Sequence, residues 1–189
     1  VIGESTGRII FWGQQSTSIE ALKMKTQLKI KLASNSARNV KDARVRVGWF
    51  EDSKYDDNTP IALVAFWQEY GTKRGIPERP FMRPAELKNK AKWEKIALQE
   101  IKKCVESGRP LTQAMMVLGL AVQRDIIHEI QTLTEPALNE KTVKARIRRL
   151  AKSTTKRKPT DSINKPLIDT GIMLAALSKS EKSVRVEEK

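Results

Sequence analysis

Residues 60–85 read PIALVAFWQEYGTKRGIPERPFMRPA, and the order of parts in this stretch decides the fold. Thr59, just before it, is an N-cap type, and Pro60 takes the first helical position, where its missing N–H costs nothing. Ile61 to Tyr70 is an apolar helical run, and Gly71 is the residue type expected just past a helix end. Thr72 to Pro80 reads as loop. Pro77, Pro80 and Pro84 preset backbone φ and stiffen the entry to the next helix. A stiff loop displaying Arg79, Phe81 and Arg83 suits a rigid docking surface.

On the N-terminal side, Arg44 to Phe50 (RVRVGWF) alternates with the strand period, with Val45, Val47 and Trp49 on one face and Arg44 and Arg46 on the other. Gln27 to Leu32 also alternates, although Ile19 to Lys31 equally suits a helix by propensity. Arg8 to Trp12 can add one short strand. Residues 1–40 read as an N-terminal arm or extension, and residues 41–189 as a single domain.

On the C-terminal side, Pro84 to Ser107 carries Trp93, Ala97, Ile101 and Cys104 or Val105 at helical spacing. Gly108 and Pro110 end that helix. Leu111 to Leu133 carries the stripe Leu111, Met115, Leu118, Val122, Ile126, Ile130 and Leu133. So short a break predicts an antiparallel helix hairpin. Asn139 is placed to cap a short basic helix over Glu140 to Ala151. That helix lies within a basic extended loop at about 139–166, and Lys152 to Asn164 has no periodicity. Lys165 to Gly171 leads into a last helix, Ile172 to Leu177, and Ser183 to Val186 can close the chain as an edge strand. The expected class is α+β: a small, mostly antiparallel sheet packed against the long hairpin.

The chain has 189 residues, enough for one real core and short for two. Its net charge of +14 bears on partners more than on fold. The single cysteine, Cys104, excludes an intrachain disulfide. No apolar run reaches the ~20 residues of a membrane-spanning helix, and the first residues lack the order of a secretory signal.

Charge concentrates between Asn139 and Pro166. Lys141, Lys144, Arg146, Arg148, Arg149, Lys152, Lys156, Arg157, Lys158 and Lys165 face only Glu140 and Asp161, so 10 − 2 gives +8. Two readings stand: a solvated loop, or contact with nucleic-acid phosphates. The block holds no aromatic residue, which argues against base stacking.

Catalytic chemistry finds little footing. One Cys and one His far apart cannot build a zinc site. His128 reads as a half-buried structural histidine beside the apolar stripe, and Asp125 and Glu129 as a solvated face. No phosphate-binding glycine loop, nucleophile elbow or zinc-protease motif occurs. The expectation is no enzyme, no metal and no cofactor. Trp49, Phe66, Trp67, Tyr70 and Phe81 cluster around the first helix and read as core. Phe66 and Trp67 point about 100° apart, so burying both needs cover on two sides, which a neighbouring subunit can supply.

The segment from Val45 to Ala85 resembles a family of phage morphogenesis proteins, the neck or tail-completion proteins of long-tailed bacteriophages. Gly48, Glu69, Tyr70, Gly71, Thr72, Ile76, Pro77, Arg79, Pro80 and Phe81 carry the resemblance. Downstream, Leu138, Asn139, Thr142 and Arg146 resemble a second element, and Lys165, Pro166, Leu167, Asp169, Thr170 and Gly171 a third. The resemblance runs from Arg44 to Leu177. It implies a structural, non-catalytic protein that assembles as a ring, usually hexameric, at the head–tail junction. It also implies adjacent head-connector and tail-terminator or tail-tube proteins as partners, with genome DNA in the lumen and no membrane. Residence is then the virion neck, with the host cytoplasm during assembly. Trp67, Tyr70, Ile76, Pro77, Arg79, Pro80, Phe81 and Arg83 become candidates for a subunit or ring interface. Lys141, Lys144, Arg146, Arg148, Arg149, Lys152, Lys156, Arg157 and Lys158 become candidates for contact with DNA or an acidic partner. The alternative is a cytoplasmic nucleic-acid-binding protein without sequence preference.

Overall fold

A computed structural model describes residues 8–9, 26–27, 43–73, 75–152 and 161–188. The strands are β1 (Arg8–Ile9), β2 (Thr26–Gln27), β3 (Ala43–Val47) and β4 (Val184–Glu188). The helices are α1 (Ile61–Tyr70), α2 (Met82–Ser107), α3 (Leu111–Thr132), α4 (Glu140–Lys152), α5 (Ile172–Ser178) and a single turn, α6 (Ser180–Ser183). A 3₁₀ turn covers Asp161–Asn164. The class is α+β, as expected, with helix predominating.

The sheet order is β2-β1-β3-β4. β3 and β4 run antiparallel, with Val45 opposite Val186 and Val47 opposite Val184. β1 runs parallel to β3 and antiparallel to β2. Two dipeptides of the expected N-terminal arm therefore belong to the sheet. The rest of the RIIFW and QLKIKL strand readings lies outside the described residues. β3 is shorter than expected because Gly48, at φ 148°, turns the chain, and its N–H donates to the Ser183 carbonyl at 2.9 Å. Trp49 lies beyond the strand, where its indole N–H donates to the Met173 carbonyl at 2.9 Å.

The hairpin forms because both helices carry their apolar residues at helical spacing. Trp93, Ala97, Ile101 and Cys104 of α2 are buried, as are Leu111, Met115, Leu118, Val122, Ile126 and Ile130 of α3. Burying each large aliphatic side chain contributes roughly 1.5–3 kcal/mol. α3 reaches the sheet through Gly119. A Cβ there would stand 2.5 Å from Val184 Cγ1 and 2.8 Å from Val45 Cγ2, so only glycine allows this approach.

Two expectations for α3 need correction. Asp125 is not on a solvated face; it is buried, accepts the Trp93 indole N–H at 2.7 Å, and pairs with Lys92. A tryptophan buried on the hairpin seam needs an acceptor for its N–H, and Asp125 supplies it from the facing helix. Glu129 is half-buried and bound by Lys88. His128 is exposed rather than half-buried, because the buried arc of α3 ends short of it.

The basic segment differs from an extended loop. Residues 140–152 form α4, and the Asn139 side chain caps it by accepting the Lys141 N–H at 2.9 Å. Residues 153–160 lie outside the described residues.

Candidate functional site

The 60–85 stretch is held by one buried carboxylate. Glu69 is 3% exposed and sits on the last turn of α1. Its Oε2 accepts the N–H groups of Phe81 at 2.7 Å and Met82 at 2.9 Å, and its Oε1 accepts that of Arg83 at 3.1 Å. These are the amides at the start of α2, which have no partner inside the helix, and the negative charge sits at the positive end of the helix dipole. Arg83 completes the arrangement. Its Nε donates to Glu69 at 3.0 Å, it pairs with Glu78, and its guanidinium stacks 4.8 Å from the Tyr70 ring centroid. Burial works against the Arg83 charge, but the bonds to Glu78 and Glu69 outweigh it and raise its pKa. Gly71, at φ 67°, brings the backbone so close to Ile76 O that a Cβ would stand 2.9 Å away.

This geometry corrects the displayed-loop reading at two residues. Phe81 is fully buried, with its ring edge-on to Trp49 at 5.9 Å and 83°. Arg79 is 5% exposed. Its Nε donates to the Pro136 carbonyl at 2.9 Å and its Nη2 to that of Ala137 at 3.2 Å, so it ties the loop to the chain beyond α3. Burial, and then the nearby Arg146 charge, push its pKa down. Among the other interface candidates, Pro77 is exposed, whereas Trp67, Tyr70, Ile76, Pro80 and Arg83 are half-buried. Phe66 stays 36% exposed, with its ring 4.9 Å from that of Tyr70. Among the described residues, both Phe66 and Trp67 are thus incompletely covered.

The basic block divides in two. Arg146 is 6% exposed and therefore not available to a polyanion. Its Nη1 donates to the carbonyls of Ile163 at 3.1 Å, Lys165 at 2.8 Å and Ile168 at 3.1 Å, and its Nε stands 3.3 Å from Asp169. One guanidinium thus anchors α4 to the segment that leads into α5. Burial lowers its pKa, and Asp169 works against that fall. Arg149 also pairs with Asp169, at 3.1 Å. Lys141, Lys144, Arg148 and Lys152 are exposed on α4. Lys144 makes one exposed pair with Glu140, at 3.2 Å. Lys156, Arg157 and Lys158 lie outside the described residues.

A cavity of about 320 Å³ lies between α1 and the 166–173 segment, lined by Tyr55, Val64, Gln68, Arg146, Asp169 and Met173 among others. Burial, with the Asp169 charge next, pushes the Tyr55 pKa up. Among the described residues no cluster of His, Cys, Asp and Glu is placed to hold a metal ion.

Sequence reasoning missed the buried roles of Glu69, Arg79 and Arg146. A signal existed for Arg146: it shares one face of α4 with Val143 and Leu150, at i, i−3 and i+4, the side that packs inward. Glu69 gave none, since a helix-ending glutamate looks like any solvated one.

No protein-family model, curated protein or solved structure matches this chain.

Proposed function

We propose that the chain is a structural protein of a phage virion. It closes a ring at the head–tail junction, in the manner of a neck or tail-completion protein, and DNA passes through the ring. One observation carries the reading. The elements that resemble the neck family lie far apart in sequence but form one connected unit. Glu69 caps the helix opened by Arg79, Pro80 and Phe81. Arg79 reaches the segment just before Asn139. Arg146 takes up the carbonyls around Lys165, Pro166 and Leu167. Residues needed together for one architecture explain the resemblance better than chance matches of short motifs.

The partners are further copies of the chain, in a ring taken as hexameric, and the adjacent connector and tail-terminator or tail-tube proteins. The incompletely covered Phe66, Trp67 and Tyr70 suit the contact between copies, because aromatic residues are enriched at such interfaces. The role is architectural, with residence in the virion neck.

Native mass spectrometry and electron microscopy of the purified full chain test the reading. A closed ring of one stoichiometry is expected, and it should attach to capsids arrested before tail joining. A chain that stays monomeric at high concentration and does not associate with such capsids refutes it. A second reading, a nucleic-acid-binding protein without sequence preference, is favoured by the exposed cations of α4; it predicts a monomer that binds DNA.

A further inference from the structure

The cations of α4 are not spread around the helix. Lys141, Lys144, Arg148 and Lys152 follow the spacing i, i+3, i+7 and i+11. At about 100° per residue they fall within an arc of roughly 80°, and over eleven residues at about 1.5 Å each the row runs about 16 Å. Arg146, Val143 and Leu150 point to the opposite side, where Arg146 is buried against the 163–168 carbonyls. The anchor therefore fixes the orientation: it turns the four cations away from the body of the protein. All four are exposed. The one acidic residue of the helix, Glu140, pairs with Lys144. Arg149 is diverted to Asp169 and does not join the row.

We propose that this face of α4 is a binding surface for the phosphodiester backbone of duplex DNA. Charge complementarity selects the partner. Duplex DNA carries one negative charge per about 1.7 Å of axis, so a row about 16 Å long spans several phosphates. The face offers no aromatic side chain to stack on bases and no amide to read adenine, and a row of exposed cations matches the phosphates, so the contact is assigned to the backbone. Arg146 is a positioning residue: it holds α4 and touches no phosphate. The proposal stands apart from the ring reading: a chain that binds DNA through this face and forms no ring would refute that reading and leave this one standing.

The test is fluorescence anisotropy of the full chain with two unrelated duplexes over a range of salt. The stripe variant is K141Q/K144Q/R148Q/K152Q. Its control, K54Q/K90Q/K95Q/K179Q, removes the same charge from exposed lysines elsewhere. Glutamine is close to lysine and arginine in helix propensity, so α4 should persist. The single variants R148Q and K152Q serve if the quadruple variant does not fold. Equal affinity for both duplexes is expected. The stripe variant should lose about tenfold or more in affinity, and its salt slope should shrink by about 3.6, four contacts at about 0.9 each. The control should keep most of the wild-type slope.

Equal losses in the two quadruple variants overturn the proposal, because the diffuse net charge then explains binding. Strong preference for one duplex overturns the backbone assignment. Unchanged DNA binding by the stripe variant overturns the site. Stripe-dependent binding of polyglutamate without binding of DNA reassigns the face to an acidic protein.

Discussion

Replacing Glu69 with alanine should damage the protein more than its place at the end of a ten-residue helix suggests. The wild-type carboxylate accepts three backbone N–H groups, those of Phe81, Met82 and Arg83, at 2.7, 2.9 and 3.1 Å. Losing an N-cap acceptor costs about 0.5–2 kcal/mol. Here three amides lose a charged acceptor in a buried setting, and hydrogen bonds to charged groups are each worth about 1.5–3 kcal/mol. Water entering the vacated space recovers part of this. The Arg83 pair adds little, because that guanidinium is 41% exposed and screened. The expected loss is about 3–5 kcal/mol, set against a typical domain stability of about 5–15 kcal/mol. For a chain of this size each kcal/mol lowers Tm by roughly 2–4 °C, so E69A should melt roughly 6–20 °C below wild type. Urea unfolding followed by far-UV circular dichroism gives the free energy directly. Glu69→Gln should fall between the two, since it keeps one acceptor oxygen but turns an NH2 toward N–H groups. A loss below about 0.5 kcal/mol, the size of an ordinary surface substitution, would refute the capping argument.

Further outcomes follow from the same packing. Phe81→Ala should cost about 3–5 kcal/mol, as a buried aromatic truncation does, and any assembly defect should track the folded fraction; an assembly defect at full stability would return Phe81 to an interface. Leu118→Ala and Ile126→Ala should each cost about 2–5 kcal/mol in urea unfolding. Gly119→Val should destabilise by at least about 1–3 kcal/mol, the usual cost of overpacking, because the added atoms meet Val45 and Val184. Arg146→Gln should strip hydrogen-exchange protection from α4 while leaving the α2–α3 hairpin protected; unchanged protection of α4 would show that the helix does not hang on that guanidinium.

How much of this was legible in the sequence depends on whether a period or a partner was needed to see it. The α2–α3 hairpin was legible because apolar residues at i, i+3 and i+4 leave one solution, and Trp93, Ala97, Ile101, Leu118 and Ile126 fall where the period puts them. β3 was legible from alternation and β4 as a closing edge strand, though not their pairing, which lies 137 residues apart between Val47 and Val184. α4 was seen as a helix, but the basic residues around it blurred into a loop, because charge alone says nothing about direction.

The polar interior is where sequence reading failed, and it failed in one way. Arg79, Asp125 and Arg146 were all assigned to surfaces, the ordinary place for charged residues, and Glu69 was given no structural role. Each is buried because a partner remote in sequence meets its charge or its hydrogen bonds: the α2 amides, the carbonyls at 136–137, Trp93 and Lys92, and the carbonyls at 163–168. A buried charge is tolerable only with such partners, and no local pattern reveals a partner tens of residues away. The loop prolines misled for a related reason. Stiffness at Pro77, Pro80 and Pro84 suggested display of Phe81, whereas the same stiffness aims Phe81 inward and delivers the α2 amides to Glu69. The functional consequence falls on α4. A helix with so little apolar surface gains little from packing, so its orientation rests on Arg146. Whatever meets Lys141, Lys144, Arg148 and Lys152 does so because one buried arginine on the far side fixes which way they point.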